Sequence, residues 1–177
     1  AYAEILALWE NYHMDLQAID LVMSRQHLKQ LLPRLAETPS SPMIHYGMRA
    51  NMDYTDIKLL KPANIKRFYI GFETLNSELS NLMNKGLTSI QCIAVLKWCA
   101  EENLSVGWSM LYGIAGEKAQ YYFEMIDLIK KIPHFSPSFN LSLISLRRFS
   151  PFFNNHADYG WPDIEPWPIY YRLHPEI

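Results

Sequence analysis

Residues 104–117 read LSVGWSMLYGIAGE. Val106, Trp108 and Met110 alternate with Gly107, Ser109 and Leu111, which is the period of a β-strand. The run breaks at Gly113, turns through Gly116 and reaches the acid Glu117. Glycine at such a point lets the backbone turn sharply or come close to a ligand. A helical stripe follows in Tyr122, Met125, Ile126 and Ile129, with Lys130 and Lys131 favourably placed at its C-terminal end. Strand, glycine turn and helix make one βα unit, and whether that unit repeats decides the fold.

It repeats. Upstream, KRFYIGFETLN (66–76) alternates Phe68, Ile70 and Phe72 against Tyr69, Gly71 and Glu73, and NSELSNLMNKG (76–86) reads as a short helix stopped by Gly86. Thr88 and Gln91 form a capping box for the helix that follows. MIHYGMRAN (43–51) sets Ile44, Tyr46 and Met48 against His45, Gly47 and Arg49, and Asp53 and Asp56 suit the start of a short helix. LQAIDLVMS (16–24) reads as a strand with Ile19, Leu21 and Met23 on one face and Ala18 and Asp20 on the other. Ser24 then caps a helix carrying Leu28, Leu31, Leu32 and Leu35, which Pro33 should kink or end. Residues 3–13 read as a leading helix, and FNLSLISLRRFSPFF (139–153) as a fifth strand of open phase.

About five strands alternating with helices predict a parallel α/β sheet, either doubly wound or a partial TIM-like (β/α) barrel with outer helices. Polar residues near the C-terminal strand ends favour the barrel: Asp20, Arg49, Glu73 and Ser109, with Arg147 or Arg148 adding another. In a barrel those ends and the loops after them build the site. Charges there need partners, and Asp20, Arg49 and Glu73 can pair with one another or with a charged ligand.

Composition narrows the function. The chain has 177 residues, 49% of them hydrophobic and 14% aromatic, enough for one domain with a sizeable core. A formal net charge of -2 gives no nucleic-acid footprint. No apolar run approaches a membrane span and no secretory signal shows, so a cytoplasmic location is expected. Cys92 and Cys99, seven apart on one helix, are too far apart for a disulfide and read as core thiols. The six histidines lack ligand-like spacing for zinc, and paired acids such as Glu73 and Glu117 lack a nucleophile–base partner for hydrolysis.

SMLYGIAGE (109–117) is neither a P-loop nor a dinucleotide fingerprint. Taken by itself it is a βα turn with an acid in the first helical turn. In order along the chain stand Gly71-Phe72-Glu73-Thr74, then Met83-Asn84-Lys85-Gly86, then Trp108 through Glu117, then Arg148-Phe149-Ser150-Pro151. This ordered set, over roughly residues 15–153, resembles radical SAM enzymes, most of all the cobalamin-dependent C-methyltransferases that modify ribosomal peptides. The resemblance implies a partial (β/α)6 barrel across residues 1–153 that holds S-adenosylmethionine (SAM) at its C-terminal strand ends. Beyond it, residues 154–177 are rich in proline and aromatics and read as an irregular tail. Glu73 and Thr74 would approach the ribose or methionine end, Arg49 the methionine carboxylate, and Gly113, Gly116 and Glu117 the adenine side. Ser109 and Arg148 would face the same cavity.

The family's C-x-x-x-C-x-x-C cluster motif, its first barrel strand and its cobalamin domain have no counterpart here, and Ala115 stands where the family usually has proline. The [4Fe–4S] cluster and cobalamin are therefore expected only in a longer protein, and this chain is expected to be inactive alone. The unpaired edge at residues 16–24 is expected to self-associate or to be covered by the 3–13 helix. A peptide is the expected substrate. The competing reading is a non-catalytic barrel that presents Trp161, Trp167, Tyr170 and Tyr171 of its tail to a peptide or protein partner.

Overall fold

A computed structural model describes residues 1–20 and 22–175. Helix α1 (Tyr2–Tyr12) leads into strand β1 (Leu16–Gln17) and helix α2 (Arg25–Ala36). Then come β2 (Ile44–Met48), α3 (Tyr54–Leu60), β3 (Arg67–Ile70), α4 (Ser77–Leu82) and α5 (Ser89–Glu101). The second half runs β4 (Ser105–Gly107), β5 (Ser109–Tyr112), α6 (Ala119–Ile129), β6 (Asn140–Leu143), α7 (Pro151–Asn154) and α8 (Pro168–Leu173). Every ladder is parallel: β1-β2-β3-β4 form one sheet and β5-β6 another. The two meet where Glu73 bridges Met110 and the Leu111 N–H donates to the Glu73 carbonyl at 3.0 Å. The architecture is the expected partial α/β barrel.

The helices form where their caps and apolar spacing place them. Ser24 accepts from the His27 N–H to open α2, and Leu28, Leu31, Leu32 and Leu35 are buried along one face. Each such side chain stabilises the fold by about 1.5–3 kcal/mol. Asp53 and Asp56 form a capping box on α3, and Thr88 and Gln91 one on α5. Between sheet and helices lies a core that includes Ile57, Leu60, Ile70, Phe72, Leu79, Val95, Leu96 and Trp108. Cys92 and Cys99 belong to it as free thiols.

Several boundaries depart from the sequence pattern. The strand expected over 16–24 shrinks to two residues; Ile19 is 96% exposed while Met23 is buried, so the alternation does not hold. Beyond β1 the Ala18 N–H reaches the His45 carbonyl and the Met23 N–H the Gly47 carbonyl. Leu21, expected on the face of Ile19 and Met23, lies outside the described residues. Pro33 does not end α2, which runs three residues further, to Ala36. Helix α4 ends before Gly86: Asn84 takes the left-handed conformation (φ 53°), and the Lys85 N–H returns to the Ser80 carbonyl.

The long strand of 104–113 breaks at Trp108, where the chain stops pairing with β3 and starts pairing with β6. On α6 the buried side is Met125 with the half-buried Tyr121, Tyr122 and Leu128, while Ile126 and Ile129 are exposed. Strand β6 covers only four residues, with Leu141 and Leu143 exposed on one face. Beyond it, in the stretch read as irregular, Pro168 starts a short helix, and Phe152 packs edge-on against Tyr159 and Trp161. Helix α1 docks on α2 and the loop after it: the Tyr2 and Thr38 hydroxyls lie 2.9 Å apart, and Arg34 lies over the Tyr2 ring.

Candidate functional site

The site is built at the end of β3. Alternation along that strand turns Phe68, Ile70 and Phe72 into the core and leaves Tyr69, Gly71 and Glu73 on the other face. Glu73 itself adopts a left-handed backbone (φ 62°), a conformation that L-residues avoid and that clusters at functional sites. The contacts of its backbone with Met110 and Leu111 hold it there. Its carboxylate folds back over Gly71, where any Cβ would stand 3.1 Å from Oε1. Glycine at 71 is thus what leaves room for the acid.

The partner of Glu73 is Lys85, whose Nζ lies 2.5 Å from Oε2. The left-handed Asn84 turns the chain after α4 and delivers that lysine. Among the described residues Asp20, Arg49 and Glu73 do not pair with one another. Asp20 instead accepts from the Tyr46 hydroxyl at 3.1 Å, which together with burial raises that phenol's pKa. Arg49 is exposed beyond the end of β2 and, among the described residues, makes no ion pair with Glu73.

Below Glu73, the Tyr69 hydroxyl and Ser109 Oγ lie 2.8 Å apart. The Tyr69 ring meets Phe139 edge-on at 5.9 Å. Burial raises the Tyr69 pKa; the Ser109 contact opposes that, Glu73 adds to it and Arg147 lowers it. The arginine felt here is Arg147 rather than Arg148, which is exposed beside the left-handed Phe149.

Thr74 is 1% exposed, donates to the Met125 sulfur at 3.2 Å and accepts from the Asn76 N–H. Its hydroxyl is fully engaged in fixing the loop between β3 and α4. Gly113 and Gly116 both carry positive φ, 85° and 80°. Glu117 folds onto the turn that they make: its carboxylate accepts from the N–H groups of Gly113 and Ile114 and from the Tyr122 hydroxyl. Burial first, and then that bond to Glu117, push the Tyr122 phenol well above its ordinary value. The tail packs against the same turn, since a Cβ on Gly160 would stand 3.0 Å from that of Ala115.

Two cavities lie elsewhere. One of about 290 Å³ sits between α4 and α6, lined by residues such as Asn76, Glu78, Glu124 and Met125. The other, about 10 Å³, includes Arg25, Arg49 and Met52 in its lining.

The Radical SAM superfamily profile matches residues 11–129, two thirds of the chain. The chain belongs to the radical SAM superfamily. Among solved structures it is similar to the radical S-adenosylmethionine methyltransferase TsrM from Kitasatospora setae, with cobalamin and a [4Fe-4S] cluster bound. That match has a TM-score of 0.69 and 18% identity, and covers 85% of this chain and 32% of that one. The cobalamin-dependent radical enzyme OxsB, with aqua-cobalamin bound, matches with a TM-score of 0.54 and 13% identity over 89% of this chain and 25% of its own. Coproporphyrinogen III oxidase (HemN) from Escherichia coli matches with a TM-score of 0.54 and 14% identity over 70% of this chain and 30% of its own. At these identities the likeness is one of fold, and the chain spans a third or less of each structure. No curated protein matches by sequence.

The radical SAM barrel gives two cofactors to weigh against these residues. For SAM the fit is good: a carboxylate and an ammonium side by side at a strand end complement the amino and carboxylate groups of its methionine end. For an iron–sulfur cluster it is poor. Ligation needs accessible thiolates, whereas Cys92 and Cys99 are buried and burial pushes both thiols up to about 12. Among the described residues no other group of His, Cys, Asp or Glu is placed to hold a metal, and no helix is long and apolar enough to cross a membrane. In the sequence Lys85 stands out only as part of a motif and Tyr69 only as a strand-face residue. The cue for Lys85 was the Asn-Lys-Gly run just after a helix, where a left-handed turn sends the next side chain back.

Proposed function

We propose that this chain is the SAM-holding part of a radical SAM enzyme, a methyltransferase or oxidoreductase that acts on a peptide. The observation that carries the reading is the Glu73–Lys85 pair at the end of β3. It supports a site in which Lys85 takes the methionine carboxylate and Glu73 the methionine amine, each charge exchanging its present partner for the ligand's. In a longer protein that carried the cluster, SAM held by these residues would be the source of the family's radical chemistry. The thiols of this chain do not suit that cluster, so by itself it binds SAM without cleaving it. Cobalamin dependence is supported by the ordered motifs and by likeness to TsrM and OxsB, both with cobalamin bound; a peptide substrate rests on the ordered motifs alone.

Calorimetry with SAM tests the reading. Saturable binding that disappears in Glu73→Ala is the expected result. A second reading, a non-catalytic module that docks a peptide or protein, is favoured by the exposed Trp167, Tyr170 and Tyr171 on and beside α8. No SAM binding by the intact chain, with capture of a partner lost on Trp167→Ala, would establish it instead.

A further inference from the structure

Two hydroxyls in contact bring two hydrogens, and the contact uses one. Tyr69 and Ser109 make such a contact, and neither hydroxyl has another hydrogen-bond partner among the described residues. Ser109 is buried at 8% exposure, while Tyr69 keeps 38% open to the barrel face. The pair therefore holds one hydroxyl hydrogen with no acceptor among the described residues, and the 38% exposure of Tyr69 leaves it open to a ligand. Its location is informative too. Ser109 directly precedes Met110, the residue bridged to Glu73, so the pair lies just beneath the acid. Phe139 braces the Tyr69 ring from the far side.

We propose that Tyr69 is a positioning residue of the SAM site: it fixes the Ser109 hydroxyl, and the hydrogen left over meets a ribose oxygen of the ligand. The inference rests on the SAM reading above. The charged end of SAM belongs with Glu73 and Lys85, which leaves the uncharged nucleoside for the uncharged hydroxyls below. Nothing in the sequence singled out Tyr69, because its partner stands 40 residues away on another strand.

The test is calorimetry of this chain with SAM and with 5′-methylthioadenosine, which keeps the nucleoside and lacks the amino acid. Tyr69→Phe preserves the ring against Phe139 and removes only the hydroxyl. It should weaken both ligands about five- to tenfold, the size of one lost hydrogen bond. Ser109→Ala should do the same, and the double variant should be no weaker than the poorer single one. Lys85→Ala should weaken SAM alone. Wild-type affinity in Tyr69→Phe, or losses that multiply in the double variant, would overturn the proposal while leaving the SAM reading intact. A wild-type chain that binds neither ligand overturns both. Should Tyr69→Phe fail to fold, Ser109→Ala reads the same pair from its other side, and unchanged binding there overturns the proposal equally.

Discussion

Lys85 reaches back 12 positions along the chain to place its ammonium 2.5 Å from the carboxylate of Glu73, a residue held in a left-handed backbone. A left-handed L-residue costs about 1–2 kcal/mol, and that strain beside a loop-borne counter-charge is what motivates the proposed role of Glu73. Glycine would satisfy the backbone better.

Glu73→Gly separates the two roles. Relief of the left-handed strain offsets the lost ion pair, whose Lys85 ammonium is a third exposed and is taken up by water once the acid is gone. Stability in urea should therefore change by less than about 1 kcal/mol, while SAM affinity falls at least about tenfold, the loss of a charge-assisted hydrogen bond. A loss of stability beyond about 2 kcal/mol with unchanged SAM affinity would make Glu73 a structural residue.

Gly113→Ala tests the turn. The added Cβ would stand 2.5 Å from Leu143 Cδ1, at φ 85°. Leu143 is 53% exposed and free to swing away, but the backbone strain remains. A cost of about 1–2 kcal/mol is expected, and Leu143→Ala in the same chain should not restore it. Recovery in that double variant would show the clash, not the backbone, to be decisive.

Glu117→Ala removes an acceptor used by two backbone N–H groups and one phenol. Unfolding free energy should fall by about 2 kcal/mol or more, since hydrogen bonds to a charge each contribute about 1.5–3. The Tyr122 phenol, raised by burial and by this bond, should titrate at lower pH in the variant, read by its absorbance in alkali.

The buried thiols set an alkaline limit. Burial raises Cys92 and Cys99 from 9.0 to about 12, so above pH 9 the unfolded chain releases protons that the folded chain keeps. Stability is then full below pH 9 and declines as pH rises toward 12, by up to about 2.7 kcal/mol per pH unit for the two groups together. Cys99→Ala should halve that slope in denaturation curves taken at pH 9 to 11. An unchanged slope would assign the loss to other groups.

Local chemistry was legible in the sequence. The caps at Ser24, Asp53 and Thr88, the leucine face of α2 and the alternation of β2 and β3 each depend on neighbours within a few residues, and each formed as spaced. The parallel barrel class followed from their repetition. Glu73 was readable as the acid at a strand end, because alternation alone put it on that face. Its partner was not readable. Arg49 had the right charge on a neighbouring strand, but Lys85 has the reach, supplied by a left-handed Asn84 that sequence spacing does not reveal.

Contacts across the barrel were decided only by the tertiary structure. The break at Trp108 arises because one strand serves two neighbours in turn, and β1 is limited to the two residues in register with Ile44 and His45. Glu117, which the resemblance places on the adenine side, has its carboxylate on the Gly113 and Ile114 N–H groups and the Tyr122 hydroxyl, contacts that depend on how the turn packs. Sequence determines what a residue does with its near neighbours, since those distances are set by the period of a helix or strand. Which distant side chains share a face depends on how strands register and helices dock, and that is where Tyr69 met Ser109.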